Sequence, residues 1–218
     1  MSSTHAPRRE VVQAEALAWL AANPASPGSA IVTSLPDAAE LPELDFQGWR
    51  AWFIRAARAV IAWLPADGVA IFYQSDVRRG GVWVDKAHLV LTAADGAGAV
   101  LAWHRIVCRE PPGSATSGRA SYSHLLCLCR EISPAYCRPG IDVLPDAGPM
   151  PTANAMGADA ARLACRFIAE HTRCRHVVDP FCGRGTVLAA ANESGLDATG
   201  VDVKSRCVSA ARKRVLAP

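Results

Sequence analysis

Apolar residues along this chain fall into two rhythms, short β-branched runs and longer segments with helical spacing, which alternate for most of its length. Glu10 to Gln13 is a short β-leaning piece, and Glu15 to Ala22 places Leu17 and Leu20 on one helical face. Asn23 to Gly28 carries two prolines and a glycine and is a loop. Ala30 to Thr33 reads as a buried strand with Ser34-Leu35-Pro36-Asp37 at its C-terminal edge. Gln47 to Leu64 predicts an apolar, aromatic helix that Pro65 and Gly68 stop. Trp49, Trp52 and Trp63 belong to it as core or half-buried residues. Val69 to Tyr73 is the next strand, with Gln74-Ser75-Asp76 as its exit loop.

Val84 to Ala94 predicts a helix, opened by Trp83 and Lys86 and ended near Gly96 and Gly98. Ala99 to Val107 and Tyr122 to Cys129 are strands with only a turn-rich loop between them, which predicts an antiparallel hairpin at a sheet edge. Ser133 to Pro151 is rich in proline and glycine and is a plausible lid or substrate loop. A helix from about Asn154 to Glu170 precedes the strand that ends in Asp179. A helix, a strand from Ala198 to Val203 and a helix from Ser205 to Val215 follow. This alternation predicts an α/β fold with a mostly parallel sheet and ligands at the C-terminal ends of its strands.

The length, 218 residues, suits one α/β domain, expected over residues 9–218 behind a disordered tail at 1–8. Half of the residues are hydrophobic and a fifth are charged. The formal charge of +3 permits a nucleic-acid partner without demanding one. The eight cysteines are scattered, and no pair has the two-residue gap of a zinc knuckle, so no metal is expected. The N-terminal segment lacks a signal-peptide core, and no run approaches a membrane span. Reduced thiols in the cytoplasm are the simplest expectation.

Candidate chemistry concentrates in Val177-Val178-Asp179-Pro180-Phe181-Cys182-Gly183-Arg184-Gly185-Thr186. A β-branched run ends in an acid, and a glycine-rich turn then opens a helix. Glycines let the backbone approach a ligand, and a helix N-terminus offers unpaired N–H groups. Asp202 ends the following strand about twenty residues on, where dinucleotide folds place an acid for ribose hydroxyls. The loop is neither a P-loop nor a GxGxxG fingerprint. The plainer alternative is a glycine turn that only joins strand to helix. Such a loop normally opens its domain; here it lies far along the chain, so the elements are wired in a different order.

Asp179-Pro180-Phe181-Cys182-Gly183-Arg184-Gly185-Thr186 resembles the S-adenosylmethionine loop of amino-group DNA methyltransferases and related RNA methyltransferases, written DPFxGSGT, with Arg184 in place of the usual Ser. Members with permuted motif order carry this loop late and the catalytic motif early. Ala14-Glu15-Ala16-Leu17 resembles the segment whose acid faces the cofactor adenine. Ile31 to Asp37 resembles the strand leading to the catalytic tetrapeptide, and Ala155-Met156-Gly157 the segment over the methionine moiety. The resemblance implies a Rossmann-like class I methyltransferase fold, a mostly parallel seven-stranded sheet with an antiparallel edge hairpin and circularly permuted motif order. It implies S-adenosyl-L-methionine as cofactor. Asp179 would lie at the cofactor's amino-acid end, with Phe181, Gly183, Gly185 and Thr186 lining its approach. Asp202 would bind the ribose and Glu15 the adenine amino group, the plainer alternative for Glu15 being a solvated residue on the first turn of a helix. Ser34 would act at the catalytic centre and also contact the cofactor.

The tetrapeptide departs from the family pattern of Asp, Asn or Ser, then Pro-Pro, then an aromatic ring. Leu35 replaces the first proline, and Asp37 stands where the ring should stack on an extruded base. A carboxylate there suggests a general base and an acceptor that must lose a proton. The plainer alternative makes Asp37 a helix N-cap ahead of Glu40. Asp76 is the candidate second acid. Arg78 and Arg79 could hold a phosphate, an exposed Trp83 could stack on a base, and Lys86 completes the candidate substrate surface. Little chain is left for a DNA-reading region, which favours RNA, tRNA first, over DNA. The alternatives are a DNA amino-methyltransferase, a small-molecule or protein methyltransferase, and a non-catalytic module that binds the cofactor and supports a partner.

Overall fold

The computed structural model describes residues 6–137 and 140–217. Residues 1–5 of the expected tail lie outside them. In chain order the elements are β1 (Arg9–Gln13), α1 (Ala16–Ala22), β2 (Ser29–Thr33), α2 (Phe46–Trp63), β3 (Val69–Gln74), β4 (Val77–Arg79), β5 (Val82–Val84) and α3 (Lys86–Asp95). Then come β6 (Val100–Cys108), β7 (Tyr122–Cys129), β8 (Val143–Leu144), α4 (Ala158–His171), β9 (His176–Asp179), α5 (Thr186–Glu193), β10 (Asp197–Asp202) and α6 (Ser205–Arg212).

One sheet of eight strands, one more than the seven expected, in the order β1-β10-β9-β2-β3-β7-β6-β8, organises the described residues. Every neighbouring pair is parallel except those of β7, which runs antiparallel to both β3 and β6. The edge hairpin expected from sequence is therefore β6–β7, with the two-residue β8 added outside it. The strand that carries the glycine loop, β9, sits mid-sheet between β10 and β2. That placement confirms the permuted order.

Side-chain alternation explains the layers. Val32, Ile71 and Val177 face α4, α5 and α6, while Ile31, Ala70, Phe72 and Val178 face α1, α2 and α3. Helices cover both faces, so the central strands read as unbroken apolar runs rather than alternating ones. Acids start three of the helices. Glu15 accepts the Ala18 N–H at 2.7 Å, Asp45 the Gly48 N–H at 2.7 Å, and Asp85 the His88 N–H at 2.9 Å.

Three local expectations change. Trp83 and Val84 do not begin α3; they form β5, paired with β4 around Gly80 and Gly81. Both glycines have positive φ, 54° and 80°, the geometry of a two-residue hairpin turn whose twist suits the strands. Next, α4 starts at Ala158, and Asn154 to Gly157 remain loop. The N–H groups of Asp159 and Ala160 donate to the Ala147 carbonyl, which fixes the entry. Lastly, α6 ends at Arg212 rather than Val215. At the other edge Arg8 pairs with Asp197 at 3.2 Å.

Candidate cofactor and acceptor cleft

The C-terminal ends of β1, β2, β9 and β10 open into a cleft of about 850 Å³. That is ample for a cofactor-sized molecule. Asp179 ends β9 at its floor and is 4% exposed. Its Oδ1 accepts the Thr33 hydroxyl at 2.7 Å and the Phe181 N–H at 3.2 Å. Burial pushes the carboxyl up to about 7 in spite of those donors, and the nearby Asp202 adds to the rise. A cation arriving beside Asp179 would recover the charge that burial suppresses.

Gly183 and Gly185 turn the chain with φ of 50° and 81°. Gly185 is needed twice over, because a Cβ there would stand 2.7 Å from the Ala211 Cα. Thr186 opens α5 behind them, buried. Asp202 accepts the Gly183 N–H at 3.0 Å and the Lys204 N–H at 2.7 Å. It therefore shapes the loop as well as lining the cleft, and its remaining lone pairs are available to hydroxyl donors. Glu15 also lines the cleft, with one oxygen spent on capping α1.

The opposite wall is apolar. Phe181 and Trp52 meet edge to face with ring centroids 6.0 Å apart, and Leu41 lies beside them on the cleft. Trp52 was expected as core or half-buried. The structure puts it half-buried in the cleft wall, one turn past the fully buried Trp49. Thr152, Asn154, Ala155 and Met156 close the cleft from the loop ahead of α4. This loop is pinned from outside: Arg109 and Arg119 both donate to the Ala153 carbonyl, at 2.6 and 3.0 Å. Neither arginine carried a local sequence signal, since each is more than thirty residues from its partner (separations of 44 and 34).

Ser34, Leu35 and Pro36 line the same cleft. The Pro36 carbonyl accepts the Trp49 indole N–H at 3.2 Å, leaving Ser34 and the Leu35 carbonyl as the groups the tetrapeptide can offer an acceptor.

The structure corrects three candidate roles. Asp37 does not face the cleft. One oxygen caps the short 3-10 turn Ala38–Glu40 in a capping box with Glu40; the other accepts Lys86 Nζ at 3.2 Å and Arg119 Nη2 at 3.0 Å. Both oxygens are committed to donors, so Asp37 is a structural anion and not a base poised over substrate. Lys86 is buried on that carboxylate and is no surface contact for substrate; burial lowers its pKa, and Asp37 opposes the shift. Asp76, 2% exposed, accepts His124 Nε2 at 2.9 Å and the Lys86 N–H at 2.9 Å. The Trp83 and Tyr122 side chains lie near it. Burial alone would raise the Asp76 carboxyl, but its donors, His124 foremost, bring it below its ordinary value. It is an anchor rather than a second catalytic acid. Asp85 lies close to Asp76 and His124, but its own carboxylate caps α3.

Arg78, Arg79 and Trp83 are exposed on the β4–β5 hairpin, outside the cleft. The cysteines offer no nucleophile there. Cys182 and Cys207 line the cleft, and burial raises both thiols, so neither is a ready thiolate.

No protein-family model matches the chain, and no curated protein does. Solved structures match it over nearly its whole length. PvuII DNA methyltransferase, cytosine-N4-specific, aligns with a TM-score of 0.74 at 16% identity, covering 94% of this chain and 85% of that one. TTHA0409 from Thermus thermophilus, provisionally assigned as a DNA modification methylase and complexed with S-adenosyl-L-methionine, aligns at 0.69 with 20% identity, over 95% and 92%. M1.HpyAVI in complex with SAM aligns at 0.60 with 14% identity, over 94% and 98%. At these identities the likeness establishes the fold: this chain has the class I architecture of those proteins.

Proposed function

We propose that this protein is an S-adenosylmethionine-dependent methyltransferase that modifies an exocyclic amino group of a nucleic-acid base, with DNA as the favoured substrate. The observation that carries this reading is one cleft in which the Asp179–Thr186 loop and the Ser34-Leu35-Pro36 segment face each other. The fit to the cofactor rests on Asp179, a buried carboxylate awaiting a cation, and on glycines that leave the loop backbone open. Bound S-adenosylmethionine would supply a methyl group on a positively charged sulfur.

Asp179 would hold the cofactor's ammonium, Asp202 its ribose hydroxyls and Glu15 its adenine amino group. Phe181, Gly183, Gly185 and Thr186 would shape its approach, and Phe181 with Trp52 gives a flat ring an apolar wall. Ser34 and the Leu35 carbonyl would hold the acceptor amine in line with the methyl group, and that positioning supplies much of the acceleration. An amine attacks with its own lone pair, so no carboxylate has to remove a proton first. The commitment of Asp37 to Lys86 and Arg119 therefore favours an amino acceptor over the ring N–H or hydroxyl that a base at Asp37 would suit.

The RNA acceptor expected from sequence has no support among the similar structures, two of which are described as DNA methylases. Free thiols at Cys108, Cys127 and Cys165 fit the reducing cytoplasm expected from sequence. The test is methyl transfer from labelled cofactor into separated DNA, RNA and protein, with digestion to identify the base. Label on an amino nitrogen of DNA is the expected result. Label confined to RNA would overturn the DNA preference, and no cofactor binding at millimolar concentration would overturn the whole reading.

A further inference from the structure

The β4–β5 hairpin stands at the exit of β3 and is tied to the tetrapeptide. Lys86, whose ammonium holds Asp37, also donates its backbone N–H to Asp76. Arg119, the other cation on Asp37, bridges to Val77 at the hairpin's base. Val77 and Val84 are 8% exposed and fasten the inner face to the core. Arg78 and Trp83 are cross-strand partners on the other face, the Arg78 guanidinium 5.4 Å from the indole centroid. Trp83 nevertheless remains 42% exposed and Val82, beside the glycine turn, 68%. An exposed tryptophan fixed on a paired strand and faced by the guanidinium of its cross-strand partner is a preorganised flat surface. Among the described residues, Arg78 and Arg79 have no carboxylate partner.

We propose that this hairpin grips the nucleic acid beside the target: Trp83 stacks on a neighbouring base while Arg78 and Arg79 meet the flanking phosphates. The inference rests on the nucleic-acid reading above and names the surface that reading lacks. Trp83 does not line the cleft, so the base it meets is a neighbour of the extruded one. Aromatic stacking accepts any base, and arginines release counterions from any backbone, so the hairpin supplies affinity and register rather than a sequence code.

The experiment measures binding to a short fluorescent DNA, duplex and single-stranded, separately from methyl transfer, for wild type, Trp83→Ala, Trp83→Phe and Arg78→Ala/Arg79→Ala. Cofactor affinity by calorimetry checks folding, and it should not change. Trp83→Ala is expected to weaken binding about tenfold, with Trp83→Phe recovering most of it. The double arginine variant should lose slope in a plot of log affinity against log salt, by about one to two. Wild-type affinity in Trp83→Ala, or an unchanged slope in the arginine variant, would overturn the proposal. Binding through Trp83 without methyl transfer would overturn the proposed function and leave the hairpin standing; transfer indifferent to Trp83 would do the reverse. Stronger dependence on Trp83 for RNA than for DNA would retain the hairpin and change its strand.

Discussion

Lys86 Nζ lies 3.2 Å from Asp37 Oδ2, and the two side chains are only 4% and 11% exposed. Asp37 stands at the sequence position where the resembled family keeps a ring for its substrate. The need within the pair is one-sided: Lys86 without Asp37 would be stranded in a poorly solvating environment, whereas Asp37 without Lys86 keeps Arg119.

Replacing Asp37 by Ala should cost about 3 kcal/mol of stability, because Lys86 is left as an unpaired buried cation. Denaturant unfolding of Asp37→Ala and Lys86→Met variants checks this. The methionine variant should lose less, as Arg119 still satisfies Asp37. An Asp37→Asn protein that folds normally should keep the wild-type pH–rate profile. Loss of the low-pH limb of that profile, where a general base would become protonated, would restore Asp37 as a base.

Cofactor affinity should depend on pH through Asp179. Its carboxyl is raised from the ordinary 3.8 to about 7, so the folded protein keeps a proton that the unfolded chain has lost. Its contribution to stability is fully present below about pH 4 and is lost as pH rises through about 7. A bound ammonium favours the ionised form, so affinity runs the opposite way. The dissociation constant should fall as pH rises from about 5 to 7, by at most tenfold per unit, and level off above. Calorimetry across that range, with Asp179→Asn as a flat and weaker control, decides the matter. A slope that survives in the Asn variant would assign the titration to another group.

Ser34→Ala should separate binding from transfer. Losing one hydrogen bond to the acceptor should slow transfer about tenfold to hundredfold. Cofactor affinity should be unchanged, because the glycine loop is untouched. Single-turnover kinetics reads the first effect and calorimetry the second.

Gly185→Ala should be among the costliest single substitutions. The position has φ of 81°, and the new Cβ would press on the Ala211 backbone at 2.7 Å. A loss of about 3 kcal/mol in thermal or chemical unfolding is expected, along with weakened cofactor binding. A similar substitution at Gly195, also at positive φ but with open space around it, should cost less.

The layered fold was legible because β2, β3 and β9 carry short apolar runs separated by helical spacing. The glycine loop was legible because Asp179, Gly183 and Gly185 sit close together in sequence. The β4–β5 hairpin escaped notice although Gly80-Gly81 stood between Arg79 and Val82. Its strands have three residues each, too few for a periodicity to show. Asp37 carried two readings in sequence, base or cap, and only the arrival of Lys86 and Arg119 chose between them. Those residues are 49 and 82 positions away, a relation that no local pattern contains. The clamp on the Ala153 carbonyl was hidden for the same reason.

The pairing of β1 with β10 has a consequence in time. Arg8 and Asp197 are separated by 189 residues, and among the described residues β1 has no neighbour in the sheet other than β10. On the ribosome, β2, β3, β6 and β7 can assemble early, while β1 must wait for almost all of the remaining chain to be synthesised. Glu15 lies just past the end of β1, after Ala14, and Asp202 ends β10. The two ends of the cofactor cleft therefore meet only when the late strand arrives. Until then the nascent chain carries an unpaired strand edge, the part of this molecule most exposed to mispairing.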